Sequence, residues 1–146
     1  MNQTMAKFGF PGTKIAQVGC WGALVRPNQV TLGAVVLVCE EDATALSAVS
    51  AQGISDFGKI TKAIEIALKG AFNYDKINYL LLMMVDPDVH FHVIPRYASE
   101  REFSGQVFRD SFWPKPPDIT VAAPVSADML LTIRDHIRSH WPQDKA

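Results

Sequence analysis

The sequence predicts an α+β domain, an antiparallel sheet of about five strands packed with a long helix and a C-terminal helix. Three observations lead there. Apolar runs of strand length occur at residues 31–40, 77–85 and 89–95, the first rich in β-branched residues around Val35-Val36-Leu37-Val38. Ile54, Phe57, Ile60, Ile64, Leu68 and Phe72 recur at three- and four-residue steps, which makes one apolar stripe on a helix. Leu130, Ile133, Ile137 and Trp141 repeat that spacing near the C-terminus.

Taken in order, residues 1–12 read as a loose arm ending in a Pro11-Gly12 turn. Residues 13–25 suggest one or two short strands, with Gly19 and Gly22 marking a bend or bulge. Residues 26–29, Arg-Pro-Asn-Gln, form a turn, and Glu40-Glu41-Asp42 end the strand that follows. Residues 43–49 fit a short helical turn. The long helix is expected to start at Ser50 or Ser55 and to stop near Gly70 and Asn73. The apolar runs 77–85 and 89–95 are separated only by a short break at Pro87, which argues for an antiparallel hairpin. Residues 96–117 read as loop, although Phe103, Phe108, Phe112 and Trp113 there require burial on this domain or on a partner subunit. Ser126 with Asp128 starts the last helix and Pro142 closes it. At 146 residues the chain fits one domain, residues 1–146, with a C-terminal extension that carries the helix at 126–141.

Composition removes several classes of function. A net charge of -1 gives no general attraction to nucleic acid or to acidic membranes, and the basic residues are scattered without interleaved aromatics. No apolar run is long enough to cross a bilayer, and residues 1–10 lack the apolar core of a signal peptide. Two cysteines, Cys20 and Cys39, cannot make a disulfide framework and match no zinc spacing, so a reduced, cytoplasmic setting is expected. Neither a cofactor nor a bound metal is expected.

The chemistry concentrates at residues 86–96, Asp-Pro-Asp-Val-His-Phe-His-Val-Ile-Pro-Arg. With a side-chain period of two, Asp88, His90 and His92 project from one face of a strand and Val89, Phe91 and Val93 from the other. A polar row on an otherwise apolar strand forfeits burial, and local violations of this kind mark functional sites. A neutral imidazole is a nucleophile toward phosphorus and a general acid or base near neutral pH. A second imidazole two residues along lies roughly 7 Å away, within reach of the same phosphate.

The run from Val89 to Arg96, Val-His-Phe-His-Val-Ile-Pro-Arg, resembles the signature of the histidine triad family, His-x-His-x-His with apolar x, commonly followed by Pro-Arg. Trp21-Gly22-Ala23-Leu24-Val25-Arg26-Pro27-Asn28-Gln29 followed by Thr31-Leu32-Gly33 resembles the family's N-terminal strand, turn and strand. The helix at 54–72 sits where the family's long helix sits, and Asp75-Lys76-Ile77-Asn78-Tyr79 resembles the start of its penultimate core strand. The resemblance spans about residues 13–113. It implies a nucleotide hydrolase or transferase, usually a homodimer, that cleaves a nucleoside phosphoanhydride of the dinucleoside polyphosphate type, such as diadenosine polyphosphate, or a phosphoramidate. Aligned on Val-Ile-Pro-Arg, His90 is the middle histidine, the nucleophile that carries the nucleotidyl group, and His92 is a phosphate-contacting donor.

The first triad position is Asp88, a departure: an ionised carboxylate cannot donate to a phosphate oxygen and repels it, yet it raises the pKa of a neighbouring histidine. Met83-Met84 also departs from a segment where many family members place Gly-Asn. Arg26 falls where a phosphate- or ribose-contacting Asn is common and supplies charge to phosphates, and Asn28 is a further candidate contact. One alternative reading is a nucleotide-binding protein of this fold whose catalysis is weakened or lost through Asp88. A second is a metal-dependent hydrolase using His90 and His92 as ligands. His136 and His140, four apart on the last helix, join such a site only if the fold carries that helix over the histidine strand; otherwise they sit on a solvated face. Simpler roles also account for Asn28 and Gln29 in a turn, for Asp86 as a strand terminator, for Cys39 and Trp21 in the core, and for Trp113 in packing.

Overall fold

The computed structural model describes residues 1–143. Its centre is a five-stranded sheet in the order β1-β2-β3-β5-β4, every neighbouring pair antiparallel: β1 (Lys14–Val18), β2 (Trp21–Val25), β3 (Val35–Cys39), β4 (Lys76–Leu80) and β5 (His90–Arg96). The expected α+β architecture is therefore present. Gly19, at φ +55°, makes the tight turn between β1 and β2, and the hairpin expected from the runs on either side of Pro87 is the β4–β5 pair.

Both helices pack on one side of the sheet. Helix α2 (Ala51–Phe72) lays Ile60, Ile64, Leu68 and Phe72 against Trp21, Ala23, Val25, Val35, Leu37 and Val93, and α3 (Ala127–Ser139) adds Ile133 and Ile137 to the same core. The C-terminal helix thus belongs to the main core. Ser50 caps α2, its Oγ accepting from the Gly53 N–H at 2.9 Å, while Asn73 ends the helix in the left-handed region at φ 50°. Ser50→Ala is expected to cost about 1 kcal/mol of stability in a denaturant titration.

Ile54 belongs to the expected apolar stripe but is 49% exposed. Gly53 takes the inward position instead: its carbonyl accepts from the Trp21 indole N–H at 2.8 Å, and a Cβ there would meet Val49 at 2.7 Å. Close backbone approach at Gly53 turns its neighbour to water.

The first strand of the hairpin is shorter than its apolar run. β4 ends at Leu80, and residues 81–85 leave the ladder, with Met83 at φ 53° and Met84 and Val85 largely exposed. Residues 96–117, read as loop, contain a small hairpin, β6 (Arg101–Phe103) and β7 (Gln106–Phe108), turned by Ser104 and Gly105 at positive φ. It buries Phe108 and sets Phe103 edge-on to Phe72, so two of the loop's aromatics are covered by this chain itself.

The largest difference lies at the N-terminus. Residues 1–12 are not a loose arm: they include helix α1 (Gln3–Lys7), capped by Asn2, whose Oδ1 accepts from Met5 N at 2.9 Å. Met5 is fully buried and Phe8 nearly so, packed with Leu24, Val36 and Val38 on the side of the sheet away from α2 and α3. Gly22 is smooth enough for this contact; a Cβ there would lie 2.7 Å from the end of Met5. Every residue of β2 and β3 is buried because the sheet is covered on both faces. No helix among the described residues is long and apolar enough to cross a membrane.

Candidate functional site

Strand alternation on β5 sends Phe91 and Val93 into the helix-side core and the two histidines to the opposite face. There His90 lies across from Val38 and His92 across from Val36. Their ring centroids are 5.2 Å apart with planes nearly perpendicular. The row expected on an open face is not open: His90 is 3% and His92 5% exposed, because the N-terminal arm covers them. Phe8 sits over both, 6.2 Å from the His90 ring and 6.1 Å from the His92 ring. Three surface cavities among the described residues, of about 920, 760 and 270 Å³, are lined by neither histidine.

The protonation of His90 follows from one contact. Its Nδ1 lies 2.7 Å from the backbone carbonyl of Asp88. A carbonyl only accepts, so Nδ1 carries the hydrogen and, in the neutral ring, Nε2 holds the lone pair. The partner is the main chain at position 88, so this orientation is independent of the side chain there.

Asp88 itself stands just before the strand and does not extend the histidine row along it. Its Oδ2 accepts from Thr4 N at 3.1 Å and from Thr4 Oγ1 at 2.8 Å, and its own N–H donates to Thr4 Oγ1 at 3.3 Å. Asp86, read as a strand terminator, pairs with Lys7 at 3.0 Å. Both carboxylates preceding the histidine strand are thus engaged by α1.

His92 is held uncharged. Burial first, then the positive charge of Arg26 and the proximity of His90, pull its pKa down to about 4. Its Nδ1 is buried with no hydrogen-bond partner, and so is Nε of Arg26. Arg26, 7% exposed, donates from Nη1 to the Asn28 carbonyl at 2.9 Å, and its burial lowers its own pKa. Asn28 contributes that carbonyl from an exposed turn, which Gln29 staples through the carbonyls of Arg26 and Ala34 and the N–H of Gly33. The turn accounts for Asn28 and Gln29 as they stand.

The depressed His92 pKa makes stability depend on pH. An unfolded chain takes up this proton near pH 6.5 and the folded one only near 4, so between those values the unfolded state binds more protons. Stability is therefore expected to fall as pH drops from about 6.5 toward 4, by up to about 3 kcal/mol. Urea unfolding at pH 7 and pH 5 measures this, and His92→Gln should flatten the slope.

No four-histidine metal site forms. His136 and His140 lie on the helix side of the sheet, where His136 Nε2 donates to the Ala71 carbonyl at 3.1 Å and its ring packs with Phe72 and Phe103. Among the described residues there is no group of three His, Cys, Asp or Glu able to hold a metal ion. Cys39 and Trp21 are core residues, and Cys20 and Cys39 are free thiols with sulfurs 3.6 Å apart. Trp113 lines the cavity of about 760 Å³ between edge strand β4 and residues 113–117, next to Asn78, Leu80 and Arg96.

Arg96, the arginine that follows the motif's proline, is an anchor. Its guanidinium donates to Asp110 at 2.7 and 3.1 Å, to Asn78 Oδ1 at 2.8 Å and to the Lys115 carbonyl at 2.7 Å, tying residues 110–115 to the end of β5. Sequence reasoning missed Asp110, and it missed Thr4, Lys7 and Phe8. Only the spacing of Met5, Phe8 and Phe10 hinted that the arm packs.

The architecture has clear counterparts among solved structures. A histidine triad protein from Sinorhizobium meliloti 1021 superposes with a TM-score of 0.75 at 19% identity, covering 96% of this chain and 95% of that one. One from Bradyrhizobium japonicum gives 0.68 at 17% identity, over 97% and 96%. The chain has the histidine triad fold. A hypothetical histidine triad nucleotide-binding protein from Sulfolobus tokodaii strain7 shares it, with a TM-score of 0.70 at 15% identity over 94% of this chain and 88% of that one. No family model and no curated protein matches the sequence. Within the histidine triad fold of this chain, the strand that bears the triad-like motif is β5, at the sheet's second position from the β4 edge.

Proposed function

We propose that this protein is a nucleotide hydrolase or transferase that cleaves a phosphoanhydride or phosphoramidate at the α-phosphorus, with His90 as nucleophile. The observation that carries the reading is the 2.7 Å contact from Nδ1 of His90 to the Asp88 carbonyl, which leaves the Nε2 lone pair for attack. Nε2 forms a bond to phosphorus as the bond from phosphorus to the bridging oxygen or nitrogen breaks, and the leaving group departs with that electron pair. The leaving oxygen or nitrogen takes up a proton from solvent; water then attacks phosphorus and gives a proton back to solvent, the N–P bond breaks with its electrons returning to Nε2, and a nucleoside monophosphate is released.

Two further groups suit this chemistry. Neutral His92 donates one N–H to a non-bridging oxygen, and the unpaired Nε of Arg26 supplies a charged donor beside it. Asp88 is compatible with the reaction, because its carboxylate is already bound by Thr4 while its carbonyl orients His90. Trp113 and the groove beside β4 offer a stacking surface for a base one strand away from His92.

Burial of both imidazoles favours a second reading, a nucleotide-binding protein that turns over slowly or not at all. Incubation with diadenosine polyphosphates and with adenosine phosphoramidate, with and without chelator, separates the readings. Chelator-insensitive release of AMP supports the hydrolase, saturable binding without release supports the binder, and loss of turnover with chelator supports metal dependence. We further propose a cytoplasmic homodimer. Exposed Leu82, Met84 and Val85 beside edge strand β4 support self-association, which sedimentation velocity tests.

A further inference from the structure

We infer that residues 1–12 are a gate over the histidine site, latched by Asp88 gripping Thr4; the inference rests on His90 and His92 being the reactive site. A sheet face meant only for packing would satisfy its polar atoms. Here His92 Nδ1 and Arg26 Nε are buried without partners on the very face that the arm covers. The arm therefore lies over a site built to hold something polar. Its cover is Phe8, which contacts both rings, and its seat is Met5 on Gly22, Leu24, Val36 and Val38.

Beside the apolar seat of Met5 and Phe8, three polar fastenings hold the first half of the arm, and Arg134 Nη1 donates to the Gly12 carbonyl at its far end. Asp88 holds the backbone N–H and hydroxyl of Thr4, Asp86 holds Lys7, and Asn2 Nδ2 donates to the Cys39 carbonyl at 2.8 Å. Two of these three tie the arm to the segment just before β5. At the other end the arm turns at Gly9, φ +87°, and Thr13 Oγ1 donates to the Phe8 carbonyl at 2.7 Å. Residues 9–13 are the pivot and β1 beyond them stays in the sheet. Opening uncovers the imidazoles for a nucleotide. Lys7, whose charge acts on His92, brings an ammonium toward the phosphates when the arm closes again. The first triad position thereby serves the cover: its side chain fastens the gate while its carbonyl orients the nucleophile.

The test reads histidine accessibility, which does not depend on catalysis. The full-length protein is treated with diethyl pyrocarbonate, and carbethoxylation of each histidine is followed by peptide mass spectrometry, with half-buried His140 as internal reference. In the wild type His90 is expected to react well below His140. Thr4→Val, which removes the latch hydroxyl at constant shape, and Phe8→Ala, which removes the cover, should each raise the His90 rate by about tenfold or more with His140 unchanged. Equal rates at His90 and His140 in the wild type, or no increase in either variant, would overturn the gate. Hydrogen exchange on the wild type covers the case in which a variant unfolds. Amides of Thr4 and Met5 should exchange through an opening that leaves β3 and β5 protected, and exchange of arm and sheet together would also overturn the gate. A faster-reacting His90 without cleavage of any nucleotide would refute the hydrolase reading and leave the gate standing.

Discussion

His90→Ala is expected to lower turnover of a dinucleoside polyphosphate by at least about a thousandfold while the protein remains folded. The size follows from the role proposed for His90. Removing a covalent nucleophile forces water to attack phosphorus directly, so the two easier steps become one difficult step. His92→Ala should cost less, about a hundredfold, because in the proposed reaction it deletes one donor to a developing charge and leaves the attacking atom in place. The order of the two effects matters more than either size. Steady-state release of AMP under identical conditions measures both. A larger loss at His92 than at His90 would exchange their roles, and far-UV circular dichroism checks that β5 still folds.

The largest effect on stability is expected at Asp110. Its carboxylate is buried and accepts two bonds from Arg96, one from Tyr97 N at 3.1 Å and one from Phe112 N at 3.3 Å. Asp110→Ala leaves the guanidinium of Arg96, itself 3% exposed, without its counter-charge and frees the loop that wraps β5 and β4. The expected cost is about 3–5 kcal/mol in urea or thermal unfolding. The charge pair is the reason, so a double replacement Arg96→Met with Asp110→Leu should recover a large part of the loss. Failure of the double variant to exceed the single one would assign the cost to the backbone bonds at Tyr97 and Phe112.

Periodicity made much of this fold legible. Val35 to Val38 are a strand, and Ile60, Ile64, Leu68 and Phe72 face the sheet, because their spacings match the two regular repeats and because Ser50 and Asn73 cap the helix between them. The edges were less legible. Residues 81–85 are as apolar as a strand, and nothing in their composition reveals that pairing stops at Leu80. Ile54 turned outward because Gly53 allows the helix to touch Trp21, a contact between residues far apart in sequence. At the site, alternation placed both histidines on one face, but which residues cover that face is a tertiary fact. The partner of Asp88 is Thr4, distant in the chain, and the partner of Arg96 is Asp110, across a hairpin whose sequence reads as loop. Local patterns carry no signal for such pairings.

The proposed reaction requires Nε2 of His90 to bond to phosphorus. Rapid quenching of the wild-type protein with a dinucleoside polyphosphate, followed by peptide mass spectrometry, tests it directly. A nucleotidyl adduct on the peptide that contains His90, formed and consumed at rates that match turnover, is the predicted result. Turnover with no adduct at His90, or an adduct on another residue, would contradict it.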